Sequence, residues 1–200
     1  RYFPNTVVTV FVCEALIDAF EATKDKKYIK IVKSVCEFIF SDLKTIIKND
    51  KQICSSYIPG DNLRVINVNA IIGSLLARVY KSTDEKKYKS KSKKYIDWVV
   101  STQTGYGAWY YTDPPHNSPI THDNYHTGFV LDSIEDYCRN TGDDKYQEHY
   151  NSGLVYYKKN LFTRDYAPKW MFDKIYPHDI HGVAQGIITF SKACRYSESY

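Results

Sequence analysis

The chain has 200 residues, of which 43% are hydrophobic and 16% aromatic, and its formal charge is +4. That length and apolar share can enclose a sizeable core, and the absence of any apolar run of about 18 residues argues against a membrane span. The modest charge predicts no acidic partner, and the lysine-rich stretch from Lys81 to Lys94, which could bind a polyanion, is better read as a solvated helix face because acidic residues interleave and no basic groove for nucleic acid is evident.

Taken in chain order, residues 7–20 place apolar side chains at helical spacing (Val7, Val10, Phe11, Leu16, Phe20) and predict a first helix. The turn Thr23-Lys24-Asp25-Lys26-Lys27-Tyr28 follows, and then a more amphipathic helix with Tyr28, Ile31, Val35, Ile39 and Leu43 on one stripe. Cys54-Ser55-Ser56-Tyr57-Ile58 reads as a short extended connection before Pro59-Gly60. The pattern then returns. Ile71, Ile72, Leu75 and Val79 mark an apolar helix, Thr83-Asp84-Glu85-Lys86-Lys87-Tyr88 the turn, and residues 86–100 a lysine-rich amphipathic helix. Ala108-Trp109-Tyr110-Tyr111-Thr112 is the second extended connection. Phe129, Ile134 and Tyr137 mark the third apolar helix, Thr141-Gly142-Asp143-Asp144-Lys145-Tyr146 the third turn, and residues 145–161 the third outer helix. Lys169-Trp170-Met171-Phe172-Asp173 then leads to a fourth apolar run from Val183 to Phe190. The turn tyrosines Tyr28, Tyr88 and Tyr146 recur 60 and then 58 residues apart, a period that signals stacked helical hairpins.

The expected architecture is therefore all-α, an (α/α) toroid or an arc of one, with short β-segments in the inter-hairpin connections. One continuous domain, 1–200, is expected, with repeats at about 5–52, 65–105, 123–165 and a partial one at 179–200. The chain opens on Arg1, its single methionine is Met171, and Ser197-Glu198-Ser199-Tyr200 stands where a fourth turn is expected. It reads as a piece of a longer protein. Five cysteines without a CxxC pair point to reduced thiols, with Cys13, Cys36, Cys138 and Cys194 as small core residues and Cys54 in a connection. The expected compartment is the cytoplasm.

Function is expected where connections meet the first helices. Two such places read His122-Asp123-Asn124-Tyr125-His126 and His178-Asp179-Ile180-His181; the earlier copies read Asn67-Val68-Asn69 and Asn5-Thr6. Asp123, Asn124 and Asp179 are good helix N-caps, which is one reading of them. The other is catalytic, because imidazole with carboxylate supplies proton transfer near neutral pH. On this reading His126 and His181 transfer protons, Asp123 and Asp179 orient them or act as acids, and Tyr125 is a further proton-transfer candidate. Trp109, Tyr110 and Trp170 would stack sugar rings, while Asn67, Asn69, Asn124, His122 and His178 would bond hydroxyls. Asp113 and Asp173, next to these aromatics, are further acid or base candidates. The spacings match no zinc signature, so neither metal nor cofactor is expected. Phosphate-binding loops and nucleophile elbows are absent.

The segment Thr102-Gln103-Thr104-Gly105-Tyr106-Gly107-Ala108-Trp109-Tyr110-Tyr111 resembles the Q…G-x-W-Y-Y stretch of six-hairpin, glycosidase-like (α/α) toroid proteins. Asp123-Asn124-Tyr125-His126-Thr127-Gly128-Phe129, Leu131-Asp132-Ser133, Pro168-Lys169-Trp170 and Asp179-Ile180-His181-Gly182-Val183-Ala184-Gln185-Gly186 extend the likeness. The pattern is similar to a branch found among bacterial polysaccharide-biosynthesis proteins, and the Ala184-Gln185-Gly186 step is similar to the toroid of uronyl C5-epimerases. Gly105-Tyr106-Gly107-Ala108 replaces the acid of the usual Q-x-x-D-G-x-W pattern. The resemblance implies a carbohydrate-active enzyme of hydrolase, lyase or epimerase type, acting on an oligo- or polysaccharide in glycan biosynthesis or modification. A non-catalytic glycan-binding or scaffold protein on the same toroid is the alternative.

Overall fold

The computed structural model describes residues 4–194. Four helices, α1 (Thr6–Thr23), α3 (Ile66–Thr83), α5 (Asn124–Thr141) and α7 (Ile180–Ala193), form an inner row in which each packs on the next. Outside them, α2 (Lys26–Ser41), α4 (Lys86–Ser101) and α6 (Gln147–Asn160) each fold back on the inner helix they follow. The result is an arc of an (α/α) toroid, as the period of the sequence predicts. The fourth turn expected at residues 197–200 lies outside the described residues.

The repeated Thr…Tyr motif is the hairpin turn itself, and its chemistry is the same each time. Thr23, Thr83 and Thr141 donate their hydroxyls to the carbonyls of Ala19, Val79 and Tyr137, and accept from the backbone N–H of Asp25, Glu85 and Asp143. The next residue, Lys24, Asp84 or Gly142, takes the left-handed conformation at φ 60°, 57° and 68°, and its N–H caps the preceding helix on Phe20, Tyr80 or Cys138. This geometry closes a helix by bonding carbonyls that no later helical N–H reaches. Glycine is at ease there, whereas a side chain is strained.

Position in the row decides how much of each inner helix is buried. α3 lies between α1 and α5 and under α4, and 13 of its residues are buried, Asn67, Asn69 and Ser74 among them. α1 and α7, at the two ends of the row, bury one stripe each and leave Val8, Val12, Ile180 and Ile187 more than half exposed. Several of the tyrosines are structural. Tyr95, Tyr137, Tyr146 and Tyr157 are buried with their hydroxyls on Ser55, Asp143, Asp97 and Asn124. Buried phenols need such partners, because an unpaired buried hydroxyl is costly. The α4 lysines reach acidic neighbours, Lys87 on Glu37 at 3.0 Å and Lys93 on Asp97 at 2.6 Å.

The connections form a rim across the starts of the inner helices. β1 (Thr45–Lys48) pairs antiparallel with β2 (Ile53–Ser55) in a hairpin whose turn is closed by Asn49 Oδ1 accepting from Lys51 and Gln52. The other two expected strands are single bridges instead. Val65 pairs with Thr112 and Asp123 with Met171, so each connection is held by the start of the previous inner helix rather than by a neighbouring strand. The N–H groups of Ile66 and Asn124 donate to Tyr111 and Trp170 in the same way. Cys54 is buried in β2, where burial pushes its thiol up to about 12. Cys194, expected in the core, is exposed, because it follows the last residue of α7 instead of lying on its packed stripe.

Lys24→Gly should raise unfolding stability by about 0.5–1 kcal/mol, because it relieves the left-handed strain, whereas Gly142→Ala should lower it by about 1 kcal/mol. Urea denaturation of both variants measures this. Opposite signs would refute the account of the turn.

Candidate functional site

The inner-helix starts do what their free N–H groups demand, and the demand shapes the site. Asp123 is the N-cap of α5 and is 4% exposed. Its Oδ1 accepts the backbone N–H of His126 at 2.8 Å and the same residue's ring Nδ1–H at 2.9 Å. Asp179, the N-cap of α7, repeats the arrangement with His181, at 2.9 Å to the backbone and 2.8 Å to the ring. The capping and orienting readings of these aspartates are therefore one geometry. With Nδ1 committed as donor, Nε2 of each neutral imidazole is the nitrogen left to accept a proton. The backbone N–H of His181 and then its ring hold the Asp179 carboxyl below the usual range.

Aligning the helices on their N-caps shifts the apparent repeat by one. His181, two residues past its cap, corresponds to Tyr125 of α5 and to Asn67 of α3, whose cap is Val65. His126 sits one residue further along. Tyr125 thus stands between the dyads, its ring 5.2 Å from His126 and 5.4 Å from His181, and Tyr111 covers His126 at 4.6 Å. The dyads are unequal. The His126 side chain is 26% exposed beside an almost fully buried Asp123, whereas the His181 side chain is 65% exposed. Burial raises the Tyr125 hydroxyl above its ordinary pKa, so it remains protonated and can donate.

A small cleft of about 70 Å³ opens against this pair, lined by Asp123, Tyr125, His126, Lys169, Trp170 and Asp179. Trp170 is 43% exposed and available for stacking. On the concave face, a larger cavity of about 370 Å³ has Tyr125 and His181 in its wall and also reaches Glu14, Asp132, Asp136 and Lys192. Lys192 Nζ lies 3.0 Å from Asp136 and 3.5 Å from Asp132, Gln185 donates to Asp132 at 3.0 Å, and Arg139 also pairs with Asp136. Burial pushes Glu14 up to about 7, with Arg78 opposing and Asp136 reinforcing. Burial likewise raises Asp132, while at Asp136 the same penalty is outweighed by Lys192 and Arg139 and the carboxyl falls.

Several residues expected to touch ligand are used by the fold instead. Trp109 is 2% exposed and its indole N–H is bonded to the Val99 carbonyl, so its ring is no platform. Asn69 is fully buried and ties β2 to α3 through Ser55, at 2.8 Å and 3.1 Å. Asn124 is buried between the Leu161 carbonyl and the Tyr157 hydroxyl. His122 is 3% exposed, with Nδ1 on the Trp109 carbonyl and Nε2 on the Tyr106 hydroxyl, and burial lowers its pKa. In each case a polar side chain next to a helix start satisfies backbone or phenol groups that the connection buries. Asp113 is paired to Arg64 at 3.2 Å, and His178 donates to the Pro168 carbonyl outside both dyads. Asn67 is 5% exposed; its Oδ1 has no partner and it lies beside Tyr110, Asp123 and His126. Tyr110 is half-buried on the rim. Among the described residues no three His, Cys, Asp or Glu side chains are grouped to hold a metal ion, and no helix is long and apolar enough to cross a membrane.

The concave-face charges were not foreseen as a group. Asp132 and Gln185 stand in segments that carry the family resemblance, and helical phase links them to the site, since Asp132 lies two turns beyond Tyr125 and Gln185 one turn beyond His181.

A row of inner helices, an outer row folded back on it and a polar rim at the inner-helix starts define a six-hairpin, glycosidase-like (α/α) toroid protein. Residues 8–110 match the sequence model of Glycosyl Hydrolase Family 88, and the chain belongs to that family. A comparison with curated proteins gave no match. Among solved structures it is similar to a glycosyl hydrolase family 88 protein from Bacteroides vulgatus, with a TM-score of 0.74 and 11% identity over 96% of this chain and 63% of that one. A polysaccharide lyase gives 0.77 and 14% over 98% of this chain and 62% of its own, and a sugar epimerase from a ruminal bacterium gives 0.78 and 11% over 98% and 55%. The chain therefore spans less than two thirds of the length of these solved chains, and at such identities the likeness is one of fold.

Glu14 ionises near pH 7 when folded and near its ordinary 4.5 when unfolded, so the folded state holds the extra proton between these values. Stability then falls as pH rises across that window and levels off above it. Glu14→Gln should flatten the Tm–pH curve between pH 4.5 and 7 and raise Tm at pH 8; an unchanged curve would show that Glu14 ionises normally.

Proposed function

We propose that this protein is a carbohydrate-active enzyme that hydrolyses an oligo- or polysaccharide, with the Asp123–His126 dyad as its proton-transfer centre. The observation that carries the reading is the convergence of two N-cap aspartate–histidine pairs from consecutive inner helices on one tyrosine. Membership of a glycosyl hydrolase family favours hydrolysis over the other reactions of this fold. In the concave cavity Asp136 is ion-paired and Asp132 accepts from Gln185, which ties both carboxylates to the packing of the helices.

In this mechanism a water oxygen bonds to the anomeric carbon and its proton passes to His126 Nε2. The imidazolium so formed keeps its Nδ1–H on Asp123, whose charge stabilises it. The glycosidic C–O bond breaks, and its electron pair takes a proton from protonated His181, which Asp179 orients. Tyr125, between the rings, donates a hydrogen bond to the departing oxygen. Trp170 offers a face for a sugar ring. Lys169, which lines the same cleft and makes no ion pair among the described residues, suits an acidic sugar.

NMR-monitored turnover of an oligosaccharide panel by the full-length protein in deuterated water tests this. New reducing ends are expected, with turnover falling at least about 100-fold in His126→Ala while the protein stays folded. Unsaturated uronate signals or deuterium at a ring carbon would replace hydrolysis by a lyase or epimerase reaction. Binding without turnover would favour the glycan-binding alternative, and full activity in His126→Ala would remove the dyad from the mechanism. Lys169→Ala should raise KM about tenfold for uronate-containing oligosaccharides and leave KM for neutral ones unchanged, which separates charge recognition from a packing role.

A further inference from the structure

The Gln103-Thr104-Gly105-Tyr106-Gly107 turn has no part in the proton-transfer site, yet it is pinned with unusual thoroughness. Gln103 Nε2 donates to the carbonyls of Gly107 and His149, both at 3.0 Å. The Thr104 hydroxyl accepts the Ala108 N–H at 2.9 Å, and the Thr104 N–H donates to the Ala108 carbonyl at 2.8 Å. Gly107 has φ +90°, and a Cβ there would lie 2.6 Å from Ser152, so glycine is required on both counts. All this order presents Tyr106, a residue that is 57% exposed.

The ring belongs to a group assembled on His122. The Tyr106 hydroxyl donates to His122 Nε2 at 3.0 Å, Tyr110 packs on the imidazole at 4.1 Å, and Phe172 lies 5.5 Å away with its backbone N–H on the His122 carbonyl at 3.0 Å. Tyr156, 8% exposed, closes the inner side. Phe172 is 45% exposed. Satisfying His122 accounts for the Tyr106 hydroxyl, but not for two large aromatic faces held open to water in fixed positions. Apolar surface kept rigid and solvent-facing, with phenol groups and the Asp173 carboxylate at its edge, matches a ligand with one apolar face and a polar circumference. A pyranose ring is such a ligand. The patch also lies next to the dyad, since Tyr110 packs close to Asp123 and His126.

We propose that Tyr106, Tyr110 and Phe172 form a second sugar-binding subsite, in which one pyranose ring of a glycan stacks while another ring of the same chain reaches the His126 dyad. The inference rests on the glycan reading above and adds the chain length the site prefers. Glycans longer than a disaccharide gain affinity from it.

The test is calorimetric titration of the full-length protein with homo-oligosaccharides of mannose, galacturonate and glucuronate, two and six residues long. In wild type the hexasaccharide of at least one series binds more tightly than its disaccharide. In Tyr106→Ala/Phe172→Ala that affinity ratio should fall on the order of tenfold while the protein stays folded, with a lower Tm because buried His122 loses its hydrogen bond from Tyr106, a loss that Tyr106→Phe shares. Tyr106→Phe, which keeps the ring and loses the tether, should retain most of the ratio. An unchanged ratio in the double variant, or a loss in Tyr106→Phe as large as in the double variant, would overturn the subsite while leaving the dyad reading in place. No binding of any of these glycans by wild type would overturn both.

Discussion

Four inner helices begin side by side along one rim, and each begins with N–H groups that no helical carbonyl can reach. Those groups must find acceptors, and the acceptors they find decide what the rim can do. At α1 the acceptor is Asn5, and the α3 cap, Val65, offers no side-chain acceptor. At α5 and α7 it is an aspartate with a histidine two or three residues later. A carboxylate that caps a helix is held in place by the backbone, and the imidazole it also accepts from is held in turn. Capping and imidazole orientation are thus achieved by the same oxygen.

The connections turn this local requirement into a shared surface. Each is bridged to the start of the inner helix before it, Thr112 to Val65 and Met171 to Asp123, so the loop of one repeat roofs the helix start of the last. Through this overlap Tyr111 comes to lie on His126, and Trp170 shares a cleft with the dyads. Asn124 is consumed in holding the overlap together, and Asn69 and His122 in bracing the connections, which leaves aromatic rings and the two histidines as the groups presented outward.

Below the rim the electrostatics change character. Around the rim carboxylates accept from N–H donors and imidazoles, whereas on the concave face Lys192 gathers Asp132 and Asp136 from the neighbouring helix and Glu14 stands close enough to feel them. These charges come from α1, α5 and α7, so they bind neighbouring hairpins to one another and their pKa values register that packing. A buried cluster of this sign mixture is stable only while its lysine remains paired.

Much of the fold was legible in the chain because its information is local. The Thr…Tyr motif encodes a helix stop, a left-handed residue and a helix start within six residues, and helical spacing on either side identifies the hairpin. The aspartate and histidine of each dyad are also local, at most three residues apart, so their pairing could be anticipated from the sequence. The tertiary structure decided everything that depends on how far one repeat overlaps the next. It sent Trp109 into the core while leaving Trp170 open, and brought Glu14 and Lys192 near Asp136 across three helices. Periodicity states which face of a helix is apolar, but burial at a rim depends on the loop that covers it, and that loop comes from another repeat.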